Sequence, residues 1–227
     1  MKNLQKPAGI SAISLALIYI VAFIYFGAFW SYPSAGSPVE KIAYLAENQL
    51  IFSAVYFLMY VVFGVLLAVL VIGLHERLKH THNPAIAVGS AFGVIWVGLV
   101  IASGMIANIG LAHAIGQMDA SPEKAFDIWI IVSLITESLG GGNELVGGLW
   151  VLIVSVVALQ AGEFTRALNY LGLLVGLAGI ATVYPDELLT EIFGVTQIVW
   201  FIWLGMYLLS KRNASKTMQP AANASTD

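Results

Sequence analysis

The chain is predicted to be an all-α membrane protein of six transmembrane helices, with an extra interfacial or kinked helical segment before the fourth span. Three observations predict it. Hydrophobic residues fill 59% of the 227 positions and charged residues only 10%, against about 25% charged in a soluble domain. The mean hydropathy is +0.86. Charge-free runs recur at about 20 residues, the length that crosses a hydrocarbon core roughly 30 Å thick. In lipid each backbone N–H and C=O must be satisfied within its own segment, which selects helices here. A single transmembrane domain, 1–210, is expected, then a polar tail, 211–227, read as disordered.

The first span is the uncharged run Ala8–Trp30, preceded by Lys2 and Lys6. It is too long for the apolar core of a signal peptide. Leu50–Leu74 is the second. Asn83 and Pro84 open the third, as N-cap and first helical residue, and it runs to about Ala112. Leu145–Leu159, extended back to Asn143, is the fourth, Ala167–Val183 the fifth and Leu188–Leu209 the sixth.

Residues 122–160 form an apolar stretch that is too long for one straight crossing, roughly 58 Å as a single helix. Ser121 and Pro122 start it, and Gly140-Gly141-Gly142-Asn143-Glu144 interrupts it. The glycines are the natural bend. Basic residues decide whether Ala125–Leu139 is a seventh span. Six spans with the N-terminus inside place Lys2, Lys6, Arg77, Lys79, Arg166, Lys211, Arg212 and Lys216 inside, and only Lys41 and Lys124 outside. Seven spans would invert that bias, so the positive-inside rule selects six. Residues 122–139 then lie flat, re-enter, or extend the fourth helix outward with a kink. The glycine break falls at the outer surface on this count. The expected location is a bacterial inner membrane, with both termini cytoplasmic.

Polar groups are scarce enough to name. Asn108, Glu137, Asn143, Glu144 and Gln197 fall at similar depth in the outer half, and their convergence would form an outward-facing polar pocket. Ionisable groups near hydrocarbon are costly, which makes them candidates for function. The plainer alternatives are a surface carboxylate at Glu137, and at Glu144 a helix-start carboxylate behind an Asn143 cap. His113 reads as a helix-end polar group or a proton-switching one. His75, His80 and His82 share a loop with Glu76, Arg77 and Lys79, either a solvated loop or a metal site. Gly89-x-x-x-Gly93 and Gly172-x-x-x-Gly176 mark close helix packing, within one bundle or between copies. Trp30, Tyr32, Trp129, Tyr184, Trp200 and Trp203 read as an aromatic belt.

The chain has no cysteine, which excludes thiolate metal sites, Fe–S clusters and cysteine nucleophiles. Facing histidine pairs for haem are missing, as are P-loop, GxGxxG and H-E-x-x-H motifs. Ala102-Ser103-Gly104 is no intramembrane serine protease motif, because no histidine follows on a later helix. No cofactor, metal or catalytic residue is therefore expected.

Gly9-Ile10-Ser11, the glycine-rich run Gly140–Gly148 with Gly-Leu-Trp at 148–150, and the turn Phe164-Thr165-Arg166-Ala167-Leu168-Asn169-Tyr170-Leu171-Gly172 stand in a characteristic order. In that order the chain, over about residues 6–210, resembles a bacterial family of six-span membrane proteins catalogued as a domain of unknown function (number four-three-eight-six). Thr165 stands where that family has Pro, and Ala167 where it has Trp. The resemblance implies fold and location, and no activity. The expected function is binding or transport of a small molecule or cation. The alternatives are an accessory subunit of a membrane complex and, behind it, an intramembrane enzyme. The expected partners are the lipid bilayer, such a ligand, and a second copy or another membrane protein, with no nucleic acid.

Overall fold

A computed structural model describes residues 4–141, 144–184 and 186–210. The tail that reads as disordered and Asn143 lie outside the described residues. The helices are α1 (Gln5–Ile24), α2 (Pro38–Glu47), α3 (Gln49–Tyr56), α4 (Phe63–Leu78), α5 (Ala85–Ile115), α6 (Pro122–Thr136), α7 (Leu145–Gln160), α8 (Arg166–Ala181) and α9 (Glu187–Leu209). No strand occurs among the described residues. Wider π-helical turns extend α1 through Tyr25–Phe29, join α3 to α4 through Phe57–Val62, and end α6 at Glu137–Gly141.

Short polar side chains set the helix starts. Ser37 and Glu40 close a reciprocal capping box on α2. Ser121, Thr165 and Asp186 accept from Lys124, Leu168 and Leu188 backbone N–H groups. Asn83 caps as expected, its Oδ1 accepting from Ala85 N–H at 3.0 Å. Thr165, the departure from Pro, therefore still starts a helix.

Four segments are long and apolar enough to cross a membrane: Gln5–Phe29, Gln49–Thr81, Ala85–Ile115 and Leu188–Leu209. The expected fourth and fifth spans, α7 and α8, are apolar but have 16 residues each, about 24 Å at the α-helical rise. The six helices α1, α4, α5, α7, α8 and α9 pack in that order, and α9 closes back onto α1. Inside this ring the aromatics Tyr19, Phe63, Trp96, Trp150, Trp200 and Phe201 form a circuit of neighbours, with centroids 5.3 to 6.4 Å apart. Trp200 thus belongs to the core and not to an interfacial belt. Gly89 packs on Ile153 and Gly93 on Trp150 and Val71, while Gly172 and Gly176 face Ser155 and Leu152. Both small-residue motifs are spent on packing inside the bundle.

Polar contacts tie the chain together at one end of the ring. Gln5 Nε2 donates to Leu208 O at 2.9 Å, Asn83 Nδ2 donates to Gln160 Oε1 at 3.0 Å, and Arg77 pairs with Glu163 at 2.9 Å. Arg77 also lies over the Phe164 and Tyr207 rings. Arg77→Lys is expected to cost about 1 kcal/mol, since a lysine keeps the charge but loses the fork and the stacking. Thermal melting against wild type checks it. At the other end α2 and α6 join α5 around a second core of Ile42, Leu45, Phe52, Leu111 and Trp129. There the exposed Glu40 carboxylate accepts from Ser37 N–H and Oγ, which lowers its pKa below the usual 4.5. A folded-state pKa below the unfolded one gives stability that is present above pH 4.5 and lost as pH falls through the folded value. The start of α2 is expected to fray in that acid window. Amide exchange at Ser37 and Glu40 reads it, and Glu40→Gln removes the pH dependence.

The segment before α7 is helical and packs against α5. α6 turns back and runs antiparallel along α5, with Gly110 against Val132. Beyond the break α7 continues down the same helix, with Gly147 against Trp96, Gly93 against Trp150 and Gly89 against Ile153. Register keeps step across the interruption, so α6 and α7 lie along α5 as two pieces of one broken rod. The glycine break therefore sits beside the middle of α5.

Gly98, by contrast, has no atom within 4 Å of an added Cβ. Gly98→Ala is expected to stabilise by about 0.5–1 kcal/mol, because alanine loses less backbone entropy in a helix. A melting temperature at or below wild type would contradict this open outer face.

Candidate functional site: a carboxyl at the helix break

Two helix ends meet at the break. Thr182, which ends α8, donates its hydroxyl to Gly179 O at 2.7 Å and accepts the Glu144 N–H at 2.9 Å. The Glu144 carbonyl in turn accepts from Gly148 N–H at 2.7 Å. One threonine thus satisfies a free donor of α7 and a free acceptor of α8, the groups that a helix end leaves unpaired. The positive start of α7 abuts the negative finish of α8, so their partial charges offset each other.

Glu144 occupies the N-cap position of α7, yet its side chain makes no capping hydrogen bond. The carboxyl turns inward and is nine-tenths buried. This corrects the reading of Glu144 as a first-turn carboxylate held by the helix dipole. It lines a cavity of about 80 Å³. The remaining wall is Tyr19, Tyr60, Phe63 and Trp96, completed by aliphatic surface from α1, Met59 and Val100. Trp96 directs its indole N–H at the Glu144 carboxyl, but neither Trp96 Nε1 nor Glu144 Oε2 completes a hydrogen bond. A buried polar atom left unpaired costs about 1–3 kcal/mol, and Glu144 is the ionisable residue among those that carry one.

The cavity is deep. Tyr19, Tyr60 and Trp96 are ten or more residues from the nearer ends of Gln5–Phe29, Gln49–Thr81 and Ala85–Ile115, or roughly 15 Å along each helix. π-helical turns flank it on two sides. Phe57–Val62 supplies Met59 and Tyr60, and Glu137–Gly141 leads into the break. Such turns recur at functional sites because they displace a side chain from the regular helical path.

Glu144 is the one member of the predicted pocket that lines this cavity among the described residues. Asn108 and Thr136 each hold a buried side-chain oxygen without a partner, Oδ1 and Oγ1, and neither residue lines the cavity. Glu137 is exposed. Gln197 is fully buried on the α9 face that carries Phe193, Trp200 and Phe201, and both its amide atoms are unpaired. Asn143 lies outside the described residues. Of the described members, Asn108, Glu137 and Gln197 are thus not brought to the cavity with Glu144. His113 is exposed at the end of α5. His75 Nδ1 shares a hydrogen bond with Ser90 Oγ at 2.7 Å, and no cluster of three metal-ligating side chains occurs among the described residues.

Sequence reasoning missed Tyr19, Tyr60 and Trp96. The signal for the tyrosines was present: each lies well inside an apolar span, where a phenol hydroxyl needs a polar neighbour. No family model, curated protein or solved structure matches this chain.

Proposed function

We propose that the protein is a six-crossing membrane protein that binds a small molecule or cation in the cavity at the α6–α7 break, with Glu144 as its charged recognition group. The observation that carries this reading is Glu144 itself: nine-tenths buried among the lining residues of the cavity, with its Oε2 and the Trp96 indole N–H both lacking a hydrogen-bond partner. A group that costs folding energy when empty can return it when a ligand completes its contacts. On this reading α6 and α7 count as one discontinuous crossing, with the cavity beside the start of α7 at Glu144, the setting in which membranes tolerate a broken helix. The six-helix ring supports six crossings. Lys6, Arg77, Lys79 and Arg166 gather at the end where the α4–α5 and α7–α8 links meet, whereas Lys41 and Lys124 belong to the opposite end with α2 and α6. That bias supports cytoplasmic termini in a bacterial inner membrane.

Dicyclohexylcarbodiimide, an apolar reagent for carboxyls in lipid-facing or cavity positions, tests the site. Mass spectrometry of the treated protein in lipid nanodiscs is expected to find the adduct at Glu144. A Glu144 that stays unmodified while Glu137 reacts would remove the cavity reading.

A further inference from the structure

We infer that the ligand of this cavity is a small organic ammonium ion; the inference rests on the cavity-binding reading above. Four aromatic side chains from three helical segments, Tyr19, Tyr60 with Phe63, and Trp96, line the cavity with a single carboxyl, Glu144. That wall selects by charge first. An anion would face the Glu144 carboxylate with no cationic side chain among the lining residues to offset it. A cation neutralises a buried carboxylate that has no hydrogen-bond partner on Oε2, and buried charge persists only when it is paired.

The wall then selects among cations. Calcium takes six to eight oxygen ligands, and magnesium demands an octahedron. Among the lining residues the side-chain oxygens are those of Glu144, Tyr19 and Tyr60. The amides that could have added more, Asn108 and Gln197, do not line the cavity, and no three-residue ligand cluster occurs among the described residues. An alkylated ammonium needs no oxygen shell. Its charge is spread over methyl or methylene surface, which aromatic rings attract through their quadrupoles at about 0.5–2 kcal/mol each. Aliphatic surface at Met59 and Val100 suits the same alkyl groups.

Size bounds the class. A cavity of about 80 Å³ admits roughly five to eight waters at about 10–15 Å³ apiece. That number is an upper bound on the non-hydrogen atoms of the cation: tetramethylammonium fills the cavity and methylammonium fits with room for water. Drug-sized lipophilic cations need cavities of about 300 Å³ or more.

The test uses the full chain in nanodiscs, with tetramethylammonium and methylammonium chloride as probes. Sodium chloride and neopentyl alcohol serve as an inorganic cation and an uncharged isostere. Both ammonium ions are expected to raise the melting temperature saturably and to protect Glu144 from carbodiimide. Their midpoints should lie at least about tenfold below those of sodium and the alcohol. Glu144→Gln is expected to raise the ammonium midpoint by at least about tenfold, and Tyr60→Leu to weaken tetramethylammonium while leaving sodium unchanged. Should a variant fail to fold, protection of the wild-type carboxyl carries the test alone. Equal protection by sodium or the alcohol would overturn the ammonium assignment and leave the cavity reading standing. Labelling of Glu144 that no ammonium ion slows would likewise overturn it. A Glu144 that never reacts would overturn both.

Discussion

Alanine at Gly148 is expected to cost about 3 kcal/mol, and leucine there to prevent assembly of α7 with α8. A Cβ on Gly148 would stand 2.8 Å from Gly176 O, from Gly179 C and from Ile180 N, all of them backbone atoms. Side chains rotate away from an intruder, but backbone held in a helix does not, so the two helices must separate. Separation would also pull Thr182 from the Glu144 N–H and open the floor of the cavity. The melting temperature of Gly148→Ala should fall by roughly 6–12 °C, at about 2–4 °C per kcal/mol for a chain of this size. Gly98→Ala is the matched control, the same substitution on an open face. A Gly148→Ala protein as stable as that control would mean that the α7 and α8 backbones do not touch.

Leucine at Glu144 is expected to act in the opposite direction on stability and to destroy the site. The ligand-free protein should gain about 1–3 kcal/mol, because an apolar side chain among Tyr19, Phe63 and Trp96 leaves no carboxyl oxygen without a partner. Ammonium-dependent melting shifts and carbodiimide labelling at residue 144 should vanish together. This pairing of higher stability with lost binding marks a group kept for function at the expense of folding. An unchanged or lower melting temperature would show that Glu144 has a structural partner and would sink the idea of an open site.

The apolar helices were largely legible in the sequence, four of them long enough to cross a membrane, and for a physical reason. Lipid penalises unpaired backbone and charge so heavily that apolar runs, capping residues such as Ser121 and Asp186, and the sparse lysines and arginines carry most of the information. The site was legible in one residue. Glu144 stood out as a carboxylate directly ahead of apolar sequence. The α6 segment turns back against α5 through Gly110 and Val132, a contact between residues 22 positions apart in sequence that no local pattern announces. Asn108, Glu137 and Gln197 do not line the cavity with Glu144, because which side chains meet follows from how the helices rotate in the ring.

By itself, then, the sequence determined an apolar helical chain, where its long helices start and stop, and that function should be sought near the glycine break. These are local properties, set by hydropathy, capping and charge along the chain. Only the tertiary structure decided that α9 closes the ring onto α1, that the break lies beside the middle of α5, and that Glu144 faces Tyr19, Tyr60 and Trp96. Those are properties of how helices rotate and slide against one another. They are settled by side-chain packing between segments far apart in sequence, where a glycine such as Gly148 fixes the distance and a threonine such as Thr182 fixes the register.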